Sequence, residues 1–277
     1  MIGFSLKKIF SFFTVLTVSI TITFGQQKPI TAFASTPSVL THGDRLLLQC
    51  NLQNNTGKEI SGTAHLLLTN KEKTDTLDGW FQNSVAHQYF TVAANSSEKA
   101  LFPIEVPFRI TTNLHWRISI EAPDFTDIIE GDVLIDSLNE LPNSFFKIKQ
   151  SYFKLENKKL LPIKEWDELS INDTIVCSGT ITAPKNYYGE LIVTQKTGGG
   201  LQFVDPSINE SLAKHQRVLS VNFNKKNSTS SYSFSYRLLC KQAGSFSSGQ
   251  TILIDKTNGK TLSTSDVVRF NINPVNN

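Results

Sequence analysis

Apolar and polar residues alternate with a period of two along much of the chain, and helical periodicity is nearly absent after the first 25 residues. Three stretches show the alternation most clearly: 45–52, 113–122 and 232–240. A period of two is typical of β-strands that bury one face, so the sequence predicts an all-β protein. The residues expected to face inward are Leu46, Leu48, Cys50, Leu52, Leu114, Trp116, Ile118, Ile120, Tyr232, Phe234, Tyr236, Leu238 and Cys240.

Turn-forming residues separate these predicted strands. Gly, Asn, Asp and Ser tolerate the backbone angles of tight turns, and they cluster at 42–44, 54–57, 95–97 and 198–200. Several short strands punctuated in this way indicate β-sandwiches of the immunoglobulin or fibronectin III type.

The pattern also repeats once along the chain. A turn that contains an Asp, followed by an alternating strand, occurs at 42–45 and again at 171–174. Each begins a stretch of about 100 residues, which is the ordinary size of one sandwich domain. We therefore predict two sandwiches in tandem, at 28–142 and 166–273, joined by a linker and entry strand at 143–165.

The N-terminus has the pattern of a secretory signal peptide. Lys7 and Lys8 precede an apolar run at 9–24, and Gly25 follows it. The run is short for a span, which needs about 20 predominantly apolar residues. We expect cleavage after Gly25, no membrane span in the mature protein, and a location in the periplasm or outside the cell.

Charge gives little reason to expect a nucleic-acid partner. The formal net charge is +3, and it falls to about +1 once the two lysines of the signal peptide leave, which provides no field that would attract a polyanion.

Motifs that would indicate an enzyme are missing from the sequence. The five histidines, at 42, 65, 87, 115 and 215, are scattered without metal-ligand spacing, and there is no nucleophile elbow, zinc-protease motif or phosphate-binding glycine loop. The acidic cluster Asp124, Asp127, Glu130 and Asp132 lacks the spacing of a calcium loop and is interpreted as a solvated turn. The sequence predicts no catalytic residue, no cofactor and no metal site.

The three cysteines have different interpretations. Cys50 alternates with leucines and is expected in the core. Cys177 and Cys240 are expected on inward faces of an early and a late strand of the second sandwich. They form an inter-sheet disulfide if their Cα atoms approach within about 7 Å; otherwise they are two buried free thiols.

One tryptophan is a candidate contact residue. Trp80 follows the turn at Asp78 and Gly79, whereas Trp116 is assigned to the core by alternation. An exposed Trp80 would offer an aromatic face to a sugar or a protein partner; the alternative is that it packs inward.

Several longer segments resemble a known family. The stretch 33–142 contains THGDRLLLQCNLQNNTGKEISGTAHLLL, YFTVAANSSEKALFPIEVP, PDFTDIIEGD and LNELPN, and it resembles the macroglobulin domain that precedes the thioester domain in bacterial alpha-2-macroglobulins. The stretch 152–272 contains LLPIKEWDELSINDTIVCSGTITAPKNYYGELIVTQ and SYSFSYRLLCKQAGSFSSG, and it is similar to the C-terminal domain of that family.

The chain departs from this family at its reactive parts. No cysteine begins the Cys-x-Glu-Gln pattern of the thioester, and the thioester domain is missing between the two similar stretches. Only about ten residues separate Gln26, the expected mature N-terminus, from the first stretch, so we expect no bait region. The glycines 198–200 stand where the resemblance leads us to expect a turn that contains Pro. Covalent trapping of a protease is therefore excluded.

The resemblance without the reactive parts implies an exported, non-enzymatic protein that binds a protein, either a protease or an envelope protein, or has a structural role in the cell envelope. Two alternatives stay open: a steric endopeptidase inhibitor that uses the segment 205–216, and a glycan-binding or adhesion module that uses Trp80. Tripeptides at 75–77, 136–138 and 173–175 resemble the O-glycosylation signal of exported Bacteroidetes proteins.

Overall fold

The computed structural model describes residues 28–110, 112–136, 145–164, 167–204, 216–223 and 230–274. The predicted signal peptide at 1–25 lies outside these ranges. Every regular element within them is a β-strand, which confirms the all-β prediction. No helix long and apolar enough to cross a membrane occurs in the described part of the chain.

Residues 28–136, the first half, contain eight strands. They are β1 (Ile30–Ser35), β2 (Val39–Thr41), β3 (Arg45–Asn54), β4 (Ile60–Asn70), β5 (His87–Val92), β6 (Ser97–Glu105), β7 (Leu114–Ala122) and β8 (Phe125–Asp136). Strands β2, β8, β7, β4 and β5 form a five-stranded sheet in that order, and β1, β3 and β6 form part of a second sheet. The apolar faces of both sheets are buried, so this half is a β-sandwich.

Residues 145–274, the second half, contain twelve strands. They are β9 (Lys147–Glu156), β10 (Lys159–Pro162), β11 (Glu168–Ser170), β12 (Thr174–Thr182), β13 (Gly189–Lys196), β14 (Leu201–Phe203), β15 (Gln216–Phe223), β16 (Ser231–Cys240), β17 (Gly244–Ser247), β18 (Thr251–Asp255), β19 (Thr261–Thr264) and β20 (Arg269–Asn273). One sheet has the order β10-β9-β12-β16-β14 and another has the order β15-β13-β18-β19. The predicted linker and entry strand at 143–165 includes β9 and β10.

The two halves share a sheet. Strand β17 pairs with β3 through Gly244 opposite Leu46 and Ser245 opposite Arg45. The resulting six-stranded sheet has the order β1-β3-β17-β20-β11, with β6 on the other side of β3. Backbone hydrogen bonding therefore continues from one half into the other, although the domain boundaries at 142, 143 and 166 themselves stay predictions.

Alternation predicted the buried faces of β3, β7 and β16 correctly, with two differences. Tyr232 lies at the second position of β16 and is 37% exposed. His115 was expected on the outer face of β7, and it is on that face, yet it is buried. Its ring lies between two carboxylates, with Nδ1 2.8 Å from Asp132 Oδ1 and Nε2 3.5 Å from Glu130 Oε2.

The predicted turn at residues 198–200 is present, and it is buried between the two halves. A Cβ atom on Gly199 would overlap the carbonyl oxygen of Val39 in the first half, and one on Gly200 would overlap the ring of Phe246. Glycine is required at both positions, because a carbonyl oxygen or an aromatic ring occupies the space that a Cβ atom would need.

Candidate binding surface at the junction of the two halves

Trp80 is presented by a short, well-anchored loop between β4 and β5. The next residue, Phe81, is fully buried, and the backbone amides of both residues donate to the carbonyl oxygen of Leu77 at 2.9 and 3.0 Å. Trp80 itself is 61% exposed. The sequence left two alternatives for this side chain, and the structure has the exposed one.

Asp78 fixes the conformation of the same loop. Its Oδ1 accepts hydrogen bonds from the backbone amide of Leu68 at 3.0 Å and from Nδ2 of Asn83 at 2.7 Å. Its carbonyl oxygen accepts from the amide of Asn83 at 2.9 Å. Because the loop is tied to β4 on both sides of Trp80, the indole is held out in solvent by a rigid support.

A groove of about 420 Å³ begins beside this loop and runs along the junction of the two halves. Its lining is mostly apolar and comes from the Trp80 loop, from β3 and β6, and from the start of β17. The lining residues are Arg45, Leu46, Leu47, Gln82, Ser84, Pro103, Ile104, Glu105, Ala243, Gly244, Ser245 and Pro274. Strand β17 pairs with only two residues of β3, Leu46 and Arg45. The two halves therefore lie side by side at this point, and the groove lies between them.

An ion pair lies at the rim of the groove. Arg45 Nε is 2.8 Å from Glu105 Oε2, and the two residues are directly opposite each other on β3 and β6. The neighbouring pair on the same face is Leu47 and Pro103. An exposed pair of this kind contributes little to stability, so its more important effect is to place both signs of charge beside an exposed apolar surface.

A fully buried carboxylate holds the junction together. Asp44, at the turn before β3, accepts hydrogen bonds from the amide of Thr41 at 2.9 Å and from the amide of Ser247 at 2.9 Å. The hydroxyls of Thr41 and Ser247 are 2.6 Å apart. Burial raises the pKa of the Asp44 carboxyl to about 6, against the lowering effect of these hydrogen bonds and of the Arg269 charge.

Arg269 of β20 completes this contact between the halves. Its guanidinium donates to the carbonyl oxygens of Gly43 at 2.7 Å and His42 at 2.8 Å, and Nη1 lies 3.7 Å from Asp44 Oδ1. A second pair, Lys196 Nζ with Asp136 Oδ2 at 2.9 Å, also joins the halves. The groove therefore has walls that are fixed relative to each other.

The structure does not bring Cys177 and Cys240 together. They lie on neighbouring strands of the same sheet, β12 and β16, where Cys177 is opposite Tyr236. Cys240 is four residues further along β16, which is about 13 Å of strand and too far for a disulfide. Of the two alternatives that the sequence left open, the structure has the two buried free thiols. Alternation gave the right face of each strand but not which strands are neighbours or their register.

Cys50 lies in the core of the first half, as predicted, and is fully buried. Burial raises the pKa of the Cys50 thiol to about 12, and it does the same to Cys240. A thiol that stays protonated and inaccessible is a poor nucleophile.

Three members of the acidic cluster contact Lys28, Lys73 or His115, and His115 contacts two of them. Asp127 pairs with Lys28 at 2.9 Å and Glu130 with Lys73 at 3.3 Å, while Asp132 contacts His115. No group of three or more metal-ligating side chains occurs among the described residues. The interpretation of this cluster as a solvated turn holds for Asp124 and is wrong for the other three residues, which lie on strand β8.

Sequence reasoning missed the part of the groove that comes from the second half. Ala243 and Gly244 follow β16 in a segment quoted above for the family resemblance, but nothing in its local sequence indicates that it pairs with β3. Two other candidates lie outside the described residues. The segment 205–216, which the steric-inhibitor alternative uses, is described only at Gln216, where β15 begins. Trp166, the third tryptophan, also lies outside the described residues.

Comparison with known proteins gives weak structural likenesses. No family model matches the chain, and no curated protein matches it in sequence. Solved structures similar to it include red sea bream transglutaminase, at 8% identity and a TM-score of 0.31, where the match covers 89% of this chain and 31% of that one. Native alpha-2-macroglobulin from Escherichia coli, from domain MG7 to the C-terminus, has 10% identity and a TM-score of 0.31, and the match covers 61% of this chain and 24% of that one. This chain therefore covers less than a third of the length of either solved chain.

Proposed function

We propose that this protein is an exported, non-enzymatic, alpha-2-macroglobulin-like module that binds a protein partner in the cell envelope through the groove between its two halves. The observation that carries the proposal is the exposed indole of Trp80, held on a rigid loop beside an apolar groove.

The composition of this surface suits a protein partner. Binding energy at interfaces concentrates in a few aromatic or arginine side chains near apolar pockets, and an aromatic side chain that is already rigid loses little conformational entropy on binding. Trp80 is rigid, and its loop contributes Gln82 and Ser84 to the groove lining. Leu47 and Pro103 provide apolar area across β3 and β6.

The ion pair at the rim gives the partner an orientation. Arg45 and Glu105 can each exchange part of their mutual contact for a charged or polar group of the partner. Such rim charges contribute more to specificity and to the rate of association than to affinity.

The first experiment is affinity capture from an envelope extract of the source organism, with the chain from residue 26 onward as bait. Captured proteins are identified by mass spectrometry, and each is then purified and titrated against the bait. We expect one saturable partner whose affinity falls about tenfold or more in Trp80→Ala. The matched control is Tyr89→Ala, which removes a side chain that is 88% exposed on β5 and does not line the groove.

The outcomes of this experiment distinguish the steric inhibitor from the binding module and test the proposed binding site. Recovery of a protease whose activity the bait lowers would favour the steric inhibitor instead. Equal affinity in Trp80→Ala and the parent chain would overturn the surface around Trp80 as the binding site. No saturable partner at all would overturn the proposed binding function.

A glycan-binding role is the second candidate, and the same exposed indole favours it, because aromatic faces stack on sugars. Retention of the parent chain on immobilised envelope polysaccharide, lost in Trp80→Ala and kept in Tyr89→Ala, would support it. Absence of retention would remove it.

A further inference from the structure

The outer face of one sheet in the second half is rich in hydroxyl groups. Strands β9, β12 and β16 lie side by side in this sheet in antiparallel register, so their outward side chains form rows across the three strands. One row consists of Ser151, Ser178 and Ser235, and all three residues are exposed. Serine and threonine also occupy most of the other outward positions of β12 and β16. The face therefore offers many hydrogen-bond donors and acceptors.

Every charged residue at the outward positions of these three strands is a cation. Lys147 and Lys149 extend from β9, Arg237 extends from β16, and all three are exposed. None of them forms an ion pair with another residue in the described part of the chain. Asp173, in the turn before β12, is already paired with Lys154 at 2.8 Å. The face therefore has a local positive potential, although the net charge of the whole chain is small.

A pocket of about 500 Å³ opens at the arginine end of this face. Arg217 and Arg237 line it beside Ser235, leucine and valine side chains form most of the remaining wall, and no carboxylate contributes to the lining. Nη1 of Arg217 donates to the carbonyl oxygen of Ser235 at 3.2 Å, which holds this guanidinium against β16. Because a guanidinium matches the geometry of a carboxylate, sulfate or phosphate group, the pocket suits one anionic group of a larger ligand.

The cations are spread along the face rather than gathered at one point. Arg237 lies in the same row as Phe153 of β9, and Phe153 is four residues from Lys149. Standard strand geometry places the backbones of Arg237 and Lys149 about 16 Å apart. A small anion cannot contact both side chains, whereas a polymer with repeated negative charges can.

We propose that this face binds an acidic polysaccharide. One anionic group of the polymer occupies the pocket between Arg217 and Arg237, and further anionic groups contact Lys149 and Lys147. The serine and threonine hydroxyls between these points hydrogen-bond the hydroxyl groups of the sugars. This surface is separate from the junction groove and does not use Trp80.

Other classes of partner fit this face less well. Lysine and serine are depleted at protein–protein interfaces. Single-stranded nucleic acid stacks its bases on exposed aromatic side chains, and none of the exposed large apolar side chains occupies an outward position of β9, β12 or β16. For the same reason these positions offer nothing that would insert into a membrane surface.

The test is titration of the full chain with polygalacturonate, whose sugars carry carboxylates, and with dextran sulfate, with neutral dextran as the uncharged control. We expect both acidic polymers to bind and neutral dextran not to bind. In the triple variant Lys147→Gln, Lys149→Gln, Arg237→Gln, the affinity for both acidic polymers should fall about tenfold or more. Raising the salt concentration should weaken binding of the parent chain, because exposed charges are screened.

A matched control removes the same charge from another surface. The triple variant Lys58→Gln, Lys71→Gln, Lys99→Gln changes three exposed lysines of the first half and should keep the parent affinity within about twofold.

An equal loss of affinity in the two triple variants would overturn this face as the site. Tighter binding to duplex DNA or to phosphatidylglycerol vesicles than to either acidic polysaccharide would overturn the choice of ligand. Trp80→Ala should leave the polysaccharide affinity unchanged, so failure of this proposal and failure of the junction groove are distinguishable.

Discussion

The backbone amide of Ser247 donates a hydrogen bond to Oδ1 of Asp44 over 2.9 Å, across 203 residues of sequence. Oδ2 of the same carboxylate accepts from the amide of Thr41, so that both oxygens of a fully buried anion have partners. Removing one partner of such a group costs far more than removing one partner of a surface pair. Asp44 is therefore one of the contacts that hold the two halves together, beside the β17–β3 pairing and the Arg269 hydrogen bonds.

Asp44 should make stability depend on pH. Its pKa is about 6 in the folded protein against an ordinary value of 3.8, so the folded state binds this proton more tightly than the unfolded state. The contribution is fully present below pH 3.8 and is lost as the pH rises through about 6. We expect the unfolding free energy of the parent chain, relative to Asp44→Asn, to fall by about 2 kcal/mol between pH 4 and pH 7. Urea unfolding of both chains across this range measures it, and a difference independent of pH would contradict it.

The buried glycine turn should tolerate no side chain. Gly199→Ala places a methyl group against the carbonyl oxygen of Val39, where backbone must move on both sides. We expect a loss of about 1–3 kcal/mol in the free energy of unfolding. Gly57→Ala is the matched control, since no atom lies within 4 Å of its added methyl group, and it should change stability by less than about 0.5 kcal/mol. Equal effects of the two substitutions in urea unfolding would show that the turn is not tightly enclosed.

All three cysteines should be unreactive until the protein unfolds. Cys50, Cys177 and Cys240 are buried free thiols, and burial raises the pKa of each. Alkylation with iodoacetamide at pH 8 should label no thiol in the folded chain and three in guanidinium. Intact mass after labelling counts them. One label in guanidinium without reductant would mean that two of the cysteines are bonded to each other.

The tryptophans should report the two environments separately. Trp80 is 61% exposed and Trp116 is 6% exposed. Trp80→Phe should remove emission at long wavelength that acrylamide quenches readily, and Trp116→Phe should remove emission that acrylamide quenches poorly. Trp166 is present in both variants and cancels in the comparison. Similar quenching of the two lost components would contradict the assignment of Trp80 to the surface.

Period-two alternation was sufficient to predict strands and their buried faces, because burial of one face of a sheet imposes that pattern on every strand. It could not predict which strands are neighbours. Cys177 and Cys240 illustrate this, since their faces were right and their distance was wrong. His115 shows a second limit, because an outward side chain becomes buried when neighbouring carboxylates of β8 cover it.

The functional features were harder to predict because they depend on pairing between distant segments. Asp44 looks in sequence like an ordinary turn residue, and only the pairing of β17 with β3 places it at the junction. Trp80 was recognised because a tryptophan next to a turn is informative by itself.

Because β17 of the second half pairs with β3 of the first half, the shared sheet is complete only after β17 has been synthesised. A chain is synthesised from its N-terminus, so β3 and Asp44 exist before β17 is made. Until then the backbone groups of β3 that pair with β17 are open, and the Asp44 carboxylate lacks its hydrogen bond from the Ser247 amide. Open backbone groups at a strand edge promote misassembly. A nascent chain interrupted before β17 would therefore carry a weakened first half, and cellular proteases could distinguish it from the finished protein.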